Sequence, residues 1–425
     1  MNNCMKIIED VKMFNFEKVQ ENQFWNTGEH KELKMHRIHA YPAKFPAFIT
    51  TKALNFAREN SIEVRTIADI FCGCGTVAFE AKRNNINFWG SDINPVATMI
   101  AKTKSQNYTS SKLKAYYGVI MEVFSESEVK CGTYEEANAR LKYWYEKIQF
   151  EDLTRLKKAI QKVISLHSKY YLFFICAFSN ILKPTSRWLT KSIKPQIDPN
   201  KIPADVKSAF EAQCRFMIIA NEESDAIGSS RSKIVTVNFL DRSVKRPKVD
   251  IIITSPPYVT SYEYADLHQL SSLWLNYAED YRELREGSIG SLHHVYNFDR
   301  EFEQLNYTGA DIVFKLLDKD KGKARSVAKY FLDMQHMTRT CQPMLSESGI
   351  ALFVIGDTEY KGVRVENARH LAESLLESGF NQVLITKRRV TGKILTPYRD
   401  EYGRFTTDHN SRRVYGEEFI VIGKK

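Results

Sequence analysis

Residues 249–258 read VDIIITSPPY, a β-branched apolar run that ends at two consecutive prolines. The run predicts a buried strand, and the prolines end it, because proline fixes φ and lacks the N–H group that a sheet ladder requires. A stiff loop therefore follows the strand. Ligands of doubly wound α/β sheets bind at the carboxyl ends of the strands, so Ser255 and Tyr258 in this loop are candidate functional residues.

A second loop of this kind lies earlier in the chain. Residues 64–70 predict another buried strand, which leads through DIFCGCGT (residues 69–76) into a helix. Glycines between a strand and a helix let the backbone approach a ligand, and the amino end of the helix offers N–H groups and a positive dipole. Residues 88–92 predict a short strand ending in Asp92, at about the spacing where such folds place a carboxylate on ribose hydroxyls.

Two segments near this loop have local explanations as well. Asn94 and Pro95 start a predicted helix, and helix capping is the simpler role for Asp92 and Asn94, although a cap and a ligand contact are compatible. Upstream, YPAKFP (residues 41–46) predicts a shaped loop, which as an isolated pattern is a surface turn.

The composition is that of a soluble globular protein, with 43% apolar and 26% charged residues among 425. The formal net charge of +10 suits a polyanionic partner, although many basic proteins bind no nucleic acid. The amino terminus has no apolar core of signal-peptide length. The longest apolar patch, residues 170–178, is too short to span a bilayer. We therefore predict a cytoplasmic protein without a membrane partner. The cysteines lack zinc-site spacing, which predicts reduced thiols and no metal.

The loop sequence Ser-Pro-Pro-Tyr (residues 255–258) resembles the catalytic motif of DNA amino-methyltransferases, particularly the cytosine-N4 enzymes. Phe-x-Gly-x-Gly (residues 71–75) and Gly-x-Asp-x-Asn-Pro (residues 90–95) look like the donor-binding motifs of class I methyltransferases. The YPAKF segment is similar to segments that cover bound S-adenosylmethionine in one group of these enzymes. The order of these parts resembles one permutation class of the family.

The resemblance implies a class I S-adenosylmethionine-dependent methyltransferase fold, which is Rossmann-like, with a mostly parallel seven-stranded sheet, an antiparallel last strand and a helical insertion. We expect a donor-binding half over residues 1–105 and a mainly helical insertion for target recognition over residues 106–232. Residues 233–425 then form the catalytic half, with a loop-rich excursion near residues 276–326. That excursion is interpreted as a mobile lid, a DNA-contacting arm or a plain exposed segment.

The resemblance also implies the chemistry. Ser255 and the Pro256 carbonyl would accept the N–H bonds of an exocyclic amine, Pro257 would help to hold the loop, and Tyr258 would receive a flipped-out base. Serine at the first motif position favours cytosine N4 and leaves adenine N6 open. The implied donor-binding residues are Tyr41, Lys44, Phe45, Asp69, Phe71, Gly73, Gly75, Thr76, Asp92, Asn94, Pro95 and Asp241, of which Asp241 is equally explained as a turn cap.

Two basic segments are candidate DNA contacts. The candidates are Lys183, Arg187, Trp188, Lys191 and Lys194 in the first, and Arg388, Arg389, Lys393 and Arg399 in the second. The alternatives are a solvated connector whose tryptophan is buried, and exposed charge. His268 falls at helical spacing and is interpreted as a packed or capping residue.

The predicted partner is double-stranded DNA, and a restriction-modification or related setting would add a cognate restriction endonuclease. Other functions stay open: an adenine-N6 DNA methyltransferase, an RNA amino-group or small-molecule methyltransferase, and a DNA-binding protein that keeps the donor pocket without catalysis.

Overall fold

The structure is a computed structural model. It describes residues 5–28, 31–127, 133–192, 194–224, 228–259, 263–291, 297–390, 398–399, 405–406, 408, 412–413 and 416–425.

Strands and helices alternate over residues 66–104, whereas runs of helices or of strands follow one another in the rest of the chain. The strands are β1 (Lys6–Ile8), β2 (Thr66–Asp69), β3 (Asn87–Asp92), β4 (Ser232–Thr236), β5 (Val249–Thr254), β6 (Leu345–Ile355), β7 (Thr358–Tyr360), β8 (Val363–Val365), β9 (Gln382–Arg389), β10 (Tyr398–Arg399), β11 (Phe405–Thr406), β12 (Arg412–Arg413) and β13 (Glu417–Lys424). The helices are α1 (Ala47–Glu59), α2 (Thr76–Arg83), α3 (Pro95–Lys104), α4 (Ser110–Glu126), α5 (Ala139–Trp144), α6 (Lys147–Val163), α7 (Lys169–Ile181), α8 (Val206–Glu222), α9 (Tyr264–Leu267), α10 (Gln269–Trp274), α11 (Phe298–Glu301), α12 (Tyr307–Leu317), α13 (Lys321–Met344) and α14 (Asn367–Glu377).

The main sheet has the strand order β1-β9-β13-β6-β5-β2-β3-β4. Neighbours from β4 through β6 are parallel, and β13 is antiparallel to both β6 and β9. The prediction of a mostly parallel α/β sheet with an antiparallel last strand is confirmed. The predicted number of seven strands is wrong, because the short β1 pairs with the edge of β9 and makes an eighth.

Both faces of the sheet are covered. One face, which includes Ile252, packs in a core with α12, α13 and α14, and the other, which includes Ile251, packs with α1 and α2. A third core joins the helices α3 to α8 with α10 and includes Ile100, Trp144 and Trp274. The predicted helical segment therefore packs onto α3 rather than forming a core of its own. In the described residues, no helix has the length and apolar character that crossing a bilayer requires.

The stretch predicted to be loop-rich near residues 276–326 is more helical than expected, which corrects that prediction. Helix α12 buries Ile312, Val313 and Leu316, an apolar stripe at helical spacing. Helix α13 begins at Lys321, where the Asp320 side chain accepts the Lys323 N–H at 3.0 Å. Lys321, Lys323 and Arg325 thus lie in the first two turns of a long helix.

The turn between β2 and α2 requires a glycine at position 75. Gly75 has φ +75°, and a Cβ there would lie 2.6 Å from the Cα and Cβ of Ala101 in α3. Gly75→Ala should therefore lower the free energy of unfolding by about 2 kcal/mol or more, as strain and overpacking act together. Denaturant titration measures this change.

Gly118→Ala is the matched control. Gly118 lies within α4, and a Cβ there would meet nothing within 4 Å. This substitution should raise the free energy of unfolding by about 0.5–1 kcal/mol, because alanine favours the helix. Equal stability of the two variants would contradict the packing described here.

Candidate functional site

The two central strands β2 and β5 end side by side, at the point where the order of the sheet reverses. The Thr254 hydroxyl donates to Asp69 Oδ1 at 2.7 Å, and the Phe71 N–H donates to the same oxygen at 3.2 Å. Burial raises the pKa of Asp69 to about 7, and these two donors act in the opposite direction. The glycine loop after β2 and the proline loop after β5 are thus neighbours at the carboxyl edge, where such sheets bind ligands.

The glycine loop is held by Asp92 at the end of β3. Gly73 has φ +47°, and its N–H donates to Asp92 Oδ2 at 2.8 Å. The other carboxylate oxygen accepts the Asn94 N–H at 2.8 Å. Burial raises the pKa of Asp92 to about 6. Each oxygen accepts one backbone donor, so the carboxylate keeps acceptor capacity toward a ligand.

Asn94 caps α3, as the alternative interpretation expected. Its Oδ1 accepts the Val96 N–H at 2.9 Å, and Pro95 occupies the first helical turn. Its Nδ2 lies 2.8 Å from His268 Nδ1. Because the amide oxygen is fixed by the cap, Asn94 donates to His268, and the proton of the neutral ring lies on Nε2.

His268 belongs to an aromatic group beside the glycine loop. It is buried, burial lowers its pKa to about 3, and its Nε2 has no hydrogen-bond partner among the described residues. The Tyr41 ring lies 5.3 Å from it and stacks on Tyr264 at 5.7 Å. Helical spacing predicted that His268 is packed, but no local pattern indicated its bond to Asn94.

Of the predicted covering residues, Tyr41 lies against the glycine loop. A Cβ on Gly73 would be 3.2 Å from the Tyr41 hydroxyl. The Lys44 ammonium contacts Glu32 at 2.5 Å and the His36 carbonyl at 3.2 Å, so its contacts fall within its own segment. Phe45 is half-buried and packs against the core beneath α1.

Three further predicted donor-binding residues differ in their surroundings. Thr76 starts α2, and its buried hydroxyl has no partner among the described residues. The Phe71 ring meets Phe239 edge-on, with centroids 6.3 Å apart. Asp241 is exposed and accepts the Ser243 N–H at 2.9 Å, so the turn-cap alternative describes its position.

The proline loop is partly buried. Pro256 is buried, whereas Ser255, Pro257 and Tyr258 are half-buried. The Tyr258 hydroxyl donates to Glu418 Oε1 at 3.2 Å. Burial raises the pKa of Tyr258 well above its ordinary value, and the Glu418 charge adds to this. The phenol is therefore protonated at neutral pH.

In the first basic segment, the expectation that Trp188 contacts DNA is wrong. Trp188 is buried, with its ring stacked on Trp144 at 4.8 Å. Lys183 donates to the Ser192 carbonyl at 2.8 Å, and Arg187 donates to the carbonyl oxygens of Lys142 and Tyr143. These contacts brace the segment. Two candidate DNA contacts here are exposed, Lys191 and Lys194.

In the second segment, the Arg388 prediction is also wrong. Its side chain is 4% exposed and pairs with Glu418, so it presents no surface to a phosphate. Arg389 is exposed, and its guanidinium lies 3.0 Å from Glu21. Lys393 lies outside the described residues, as does the side chain of Arg399.

The chain is similar to the type II methyltransferase M.MvaI of Kocuria varians, with 23% identity over 401 residues that cover 87% of each chain. Two structures of the rRNA methyltransferase aviRa from Streptomyces viridochromogenes align at 9% and 12% identity, each with a TM-score of 0.28. They cover 91% and 81% of this chain and 88% and 94% of their own. Those scores are too low to indicate a shared fold. No protein-family model matches the chain.

The pKa of Asp69 predicts how stability depends on pH. In the folded state Asp69 keeps its proton to about pH 7, whereas an unfolded aspartate loses it near pH 4, so stability falls as pH rises through this window. Asp92 contributes the same trend up to about pH 6. Asp69→Asn should therefore flatten the fall in melting temperature between pH 5 and 7.5, because the amide oxygen still accepts from Thr254.

The control is Asp241→Asn, which replaces an exposed carboxylate whose pKa is lowered by the Ser243 N–H. It should leave the slope of melting temperature against pH unchanged in this window. An Asp69→Asn slope equal to the wild-type slope would show that Asp69 is ionised throughout.

Proposed function

We propose that the chain transfers a methyl group from S-adenosylmethionine to an exocyclic amine of a base in double-stranded DNA, with cytosine N4 as the favoured position. The observation that carries this proposal is the Ser-Pro-Pro-Tyr loop lying beside the glycine loop at the switch point, joined to it by the bond between Thr254 and Asp69. The similarity to a type II methyltransferase over 87% of both chains supports it.

The residues present fit the donor. Gly73 is half-buried and presents backbone without a side chain, and the buried Gly75 lets the chain turn into α2. The Thr76 hydroxyl, which has no partner among the described residues, supplies a buried polar group at the start of α2. Asp92 retains acceptor capacity for ribose hydroxyls, and Tyr41 would cover the loop. When bound, S-adenosylmethionine supplies an electrophilic methyl group on a sulfonium centre.

The proline loop would bind and orient the amine. An exocyclic amine is a poor nucleophile because its lone pair is delocalised into the ring. The Ser255 hydroxyl and the Pro256 carbonyl would accept its two N–H bonds and so direct the lone pair toward the methyl group. The rigid Pro256-Pro257 backbone leaves little ordering for the moment of transfer.

A base inside a duplex must leave the stack before these groups reach it, and Tyr258 would supply the flat ring that receives it. The net charge of +10 favours a polyanion, and the exposed cations Lys191, Lys194 and Arg389 are the described candidates for phosphate contacts. For this activity we propose a restriction-modification or related setting, in which the partner would be a cognate endonuclease, and the type II name of the similar protein supports it.

The activity is tested with S-adenosylmethionine carrying a labelled methyl group, supplied with double-stranded DNA and, in parallel, RNA. We expect label in DNA and N4-methylcytosine in the hydrolysate. Recovery of N6-methyladenine would move the assignment to adenine, and label in RNA would change the substrate class. Donor binding without transfer to either polymer would indicate a non-catalytic DNA-binding protein.

The division of roles is tested by two variants. Ser255→Ala should lower kcat by about 10²-fold or more with little change in donor affinity, because it removes an acceptor from the reacting amine. Asp92→Ala should chiefly weaken donor binding, by about tenfold, because the ribose hydroxyls of the donor would lose a charged hydrogen-bond acceptor.

Steady-state kinetics measure kcat, and donor titration measures the affinity for the donor. The control for Ser255→Ala is Ser125→Ala, which makes the same change on the exposed face of α4 and should leave both quantities unchanged. The opposite pattern, with Ser255→Ala affecting donor affinity and Asp92→Ala affecting only kcat, would mean that the two loops have exchanged roles.

A further inference from the structure

The buried ion pair between Arg388 and Glu418 lies across two antiparallel strands. These residues are directly opposite in the pairing of β9 with β13, and their side chains are 4% and 17% exposed. The Arg388 guanidinium also lies over the Phe48 ring, 5.7 Å from its centroid. Burying two charges costs solvation energy that their attraction offsets only in good geometry, so the pair is weak evidence for a purely stabilising role.

The pair reaches the proline loop through Tyr258. Glu418 uses one carboxylate oxygen for Arg388 and the other for the Tyr258 hydroxyl. The Tyr258 ring lies on Gly356, just past the end of β6, where a Cβ would be 3.3 Å from Tyr258 Cε2 and 3.9 Å from Glu418 Cγ. A side chain at position 356 would therefore press on both groups.

These contacts fix the ring at both ends. The backbone of Tyr258 follows two prolines, and its hydroxyl is held by a carboxylate that Arg388 prevents from turning away. A protonated phenol donating to a carboxylate forms a charge-assisted hydrogen bond, which is stronger than a neutral one. The ring plane therefore has little freedom before any base arrives.

We propose that Glu418 and Arg388 are positioning residues, which hold the Tyr258 ring in the orientation that receives the target base. The inference rests on the proposed function and extends it, since it assigns a role in the reaction to a charged pair on the antiparallel strands. It also gives Arg388 a role other than phosphate contact.

The test is a double-mutant cycle with Tyr258→Phe and Glu418→Gln. Tyr258→Phe keeps the ring and removes the hydroxyl, and we expect kcat for methyl transfer to fall about tenfold or more, with the KM for the donor unchanged. Glu418→Gln should lower kcat similarly, because Arg388 can only donate and takes the single amide oxygen, which leaves the amide nitrogen facing the Tyr258 hydroxyl, where it cannot accept. The double variant should be no slower than the slower single variant, because the bond between Tyr258 and Glu418 is already absent from each single variant, and Tyr258→Phe alone also removes a hydrogen bond with Ser255.

The matched control is Glu417→Gln, which makes the same chemical change one residue away at an exposed side chain. Its kcat should equal that of the wild type, and its melting temperature should change little, because the Glu417 carboxylate that pairs with Lys387 is exposed. Arg388→Ala is not used in the cycle, because it removes a large buried side chain together with the charge that pairs with Glu418. Glu418→Gln keeps the side-chain volume and an oxygen that accepts from Arg388, and its melting temperature is measured so that kcat is compared where the variant is folded.

A second measurement does not depend on activity. The ¹³Cζ resonance of Tyr258, assigned by its loss in Tyr258→Phe, should shift in Glu418→Gln and stay in place in Glu417→Gln. An unshifted resonance would overturn the contact. The positioning role would be overturned if the resonance shifts in Glu418→Gln but Tyr258→Phe keeps the wild-type kcat. It would also be overturned if the losses of kcat in the two single variants multiply in the double variant. A wild-type chain that transfers no methyl group would instead overturn the proposed function, and the positioning role with it.

Discussion

The hydrogen bond from the Thr254 hydroxyl to the Asp69 carboxylate ties together the ends of β5 and β2, the strands between which the sheet order reverses. Each strand continues into one of the two loops that form the candidate site. The parallel pairing of β2 with β5 brings the starts of the two loops together, and the bond adds a side-chain link at that point. Without it, the backbone pairing would still hold the two strands side by side, but Thr254 and Asp69 would lose the contact that joins the strand ends at the base of the loops.

This arrangement requires burial of two carboxylates at one edge of the sheet. Burial opposes ionisation of Asp69 and Asp92, while backbone N–H groups from Phe71, Gly73 and Asn94 partly compensate. The same N–H groups shape the glycine loop, so electrostatic compensation and loop conformation are one feature. Burying these two carboxylates costs free energy, but it places polar groups at the edge of the sheet where a ligand would bind.

Local patterns predicted β2, β3 and β5 and the loops that follow β2 and β5, because strand ends, glycines and prolines act through nearby backbone geometry. The mostly parallel sheet was expected from the family resemblance. Predictions for Trp188 and Arg388 were wrong for a common reason. Each lies in a basic segment that reads as exposed, yet its burial depends on partners distant in sequence, Trp144 in one case and Glu418 in the other. The bond between Asn94 and His268 is equally non-local. The three-residue β1 is too short to give a recognisable pattern.

The antiparallel strand β13 has a consequence beyond closing the sheet. Its pairing with β6 and β9 places Glu418 where the end of β6 and the loop after β5 converge, and it sets Arg388 directly opposite. A parallel strand in that position would run the other way and present its side chains in a different register to the loop. The antiparallel direction of β13 thus also brings the Glu418 carboxylate to the Tyr258 hydroxyl. The architecture of the sheet edge and the orientation of the loop tyrosine depend on the same pairing.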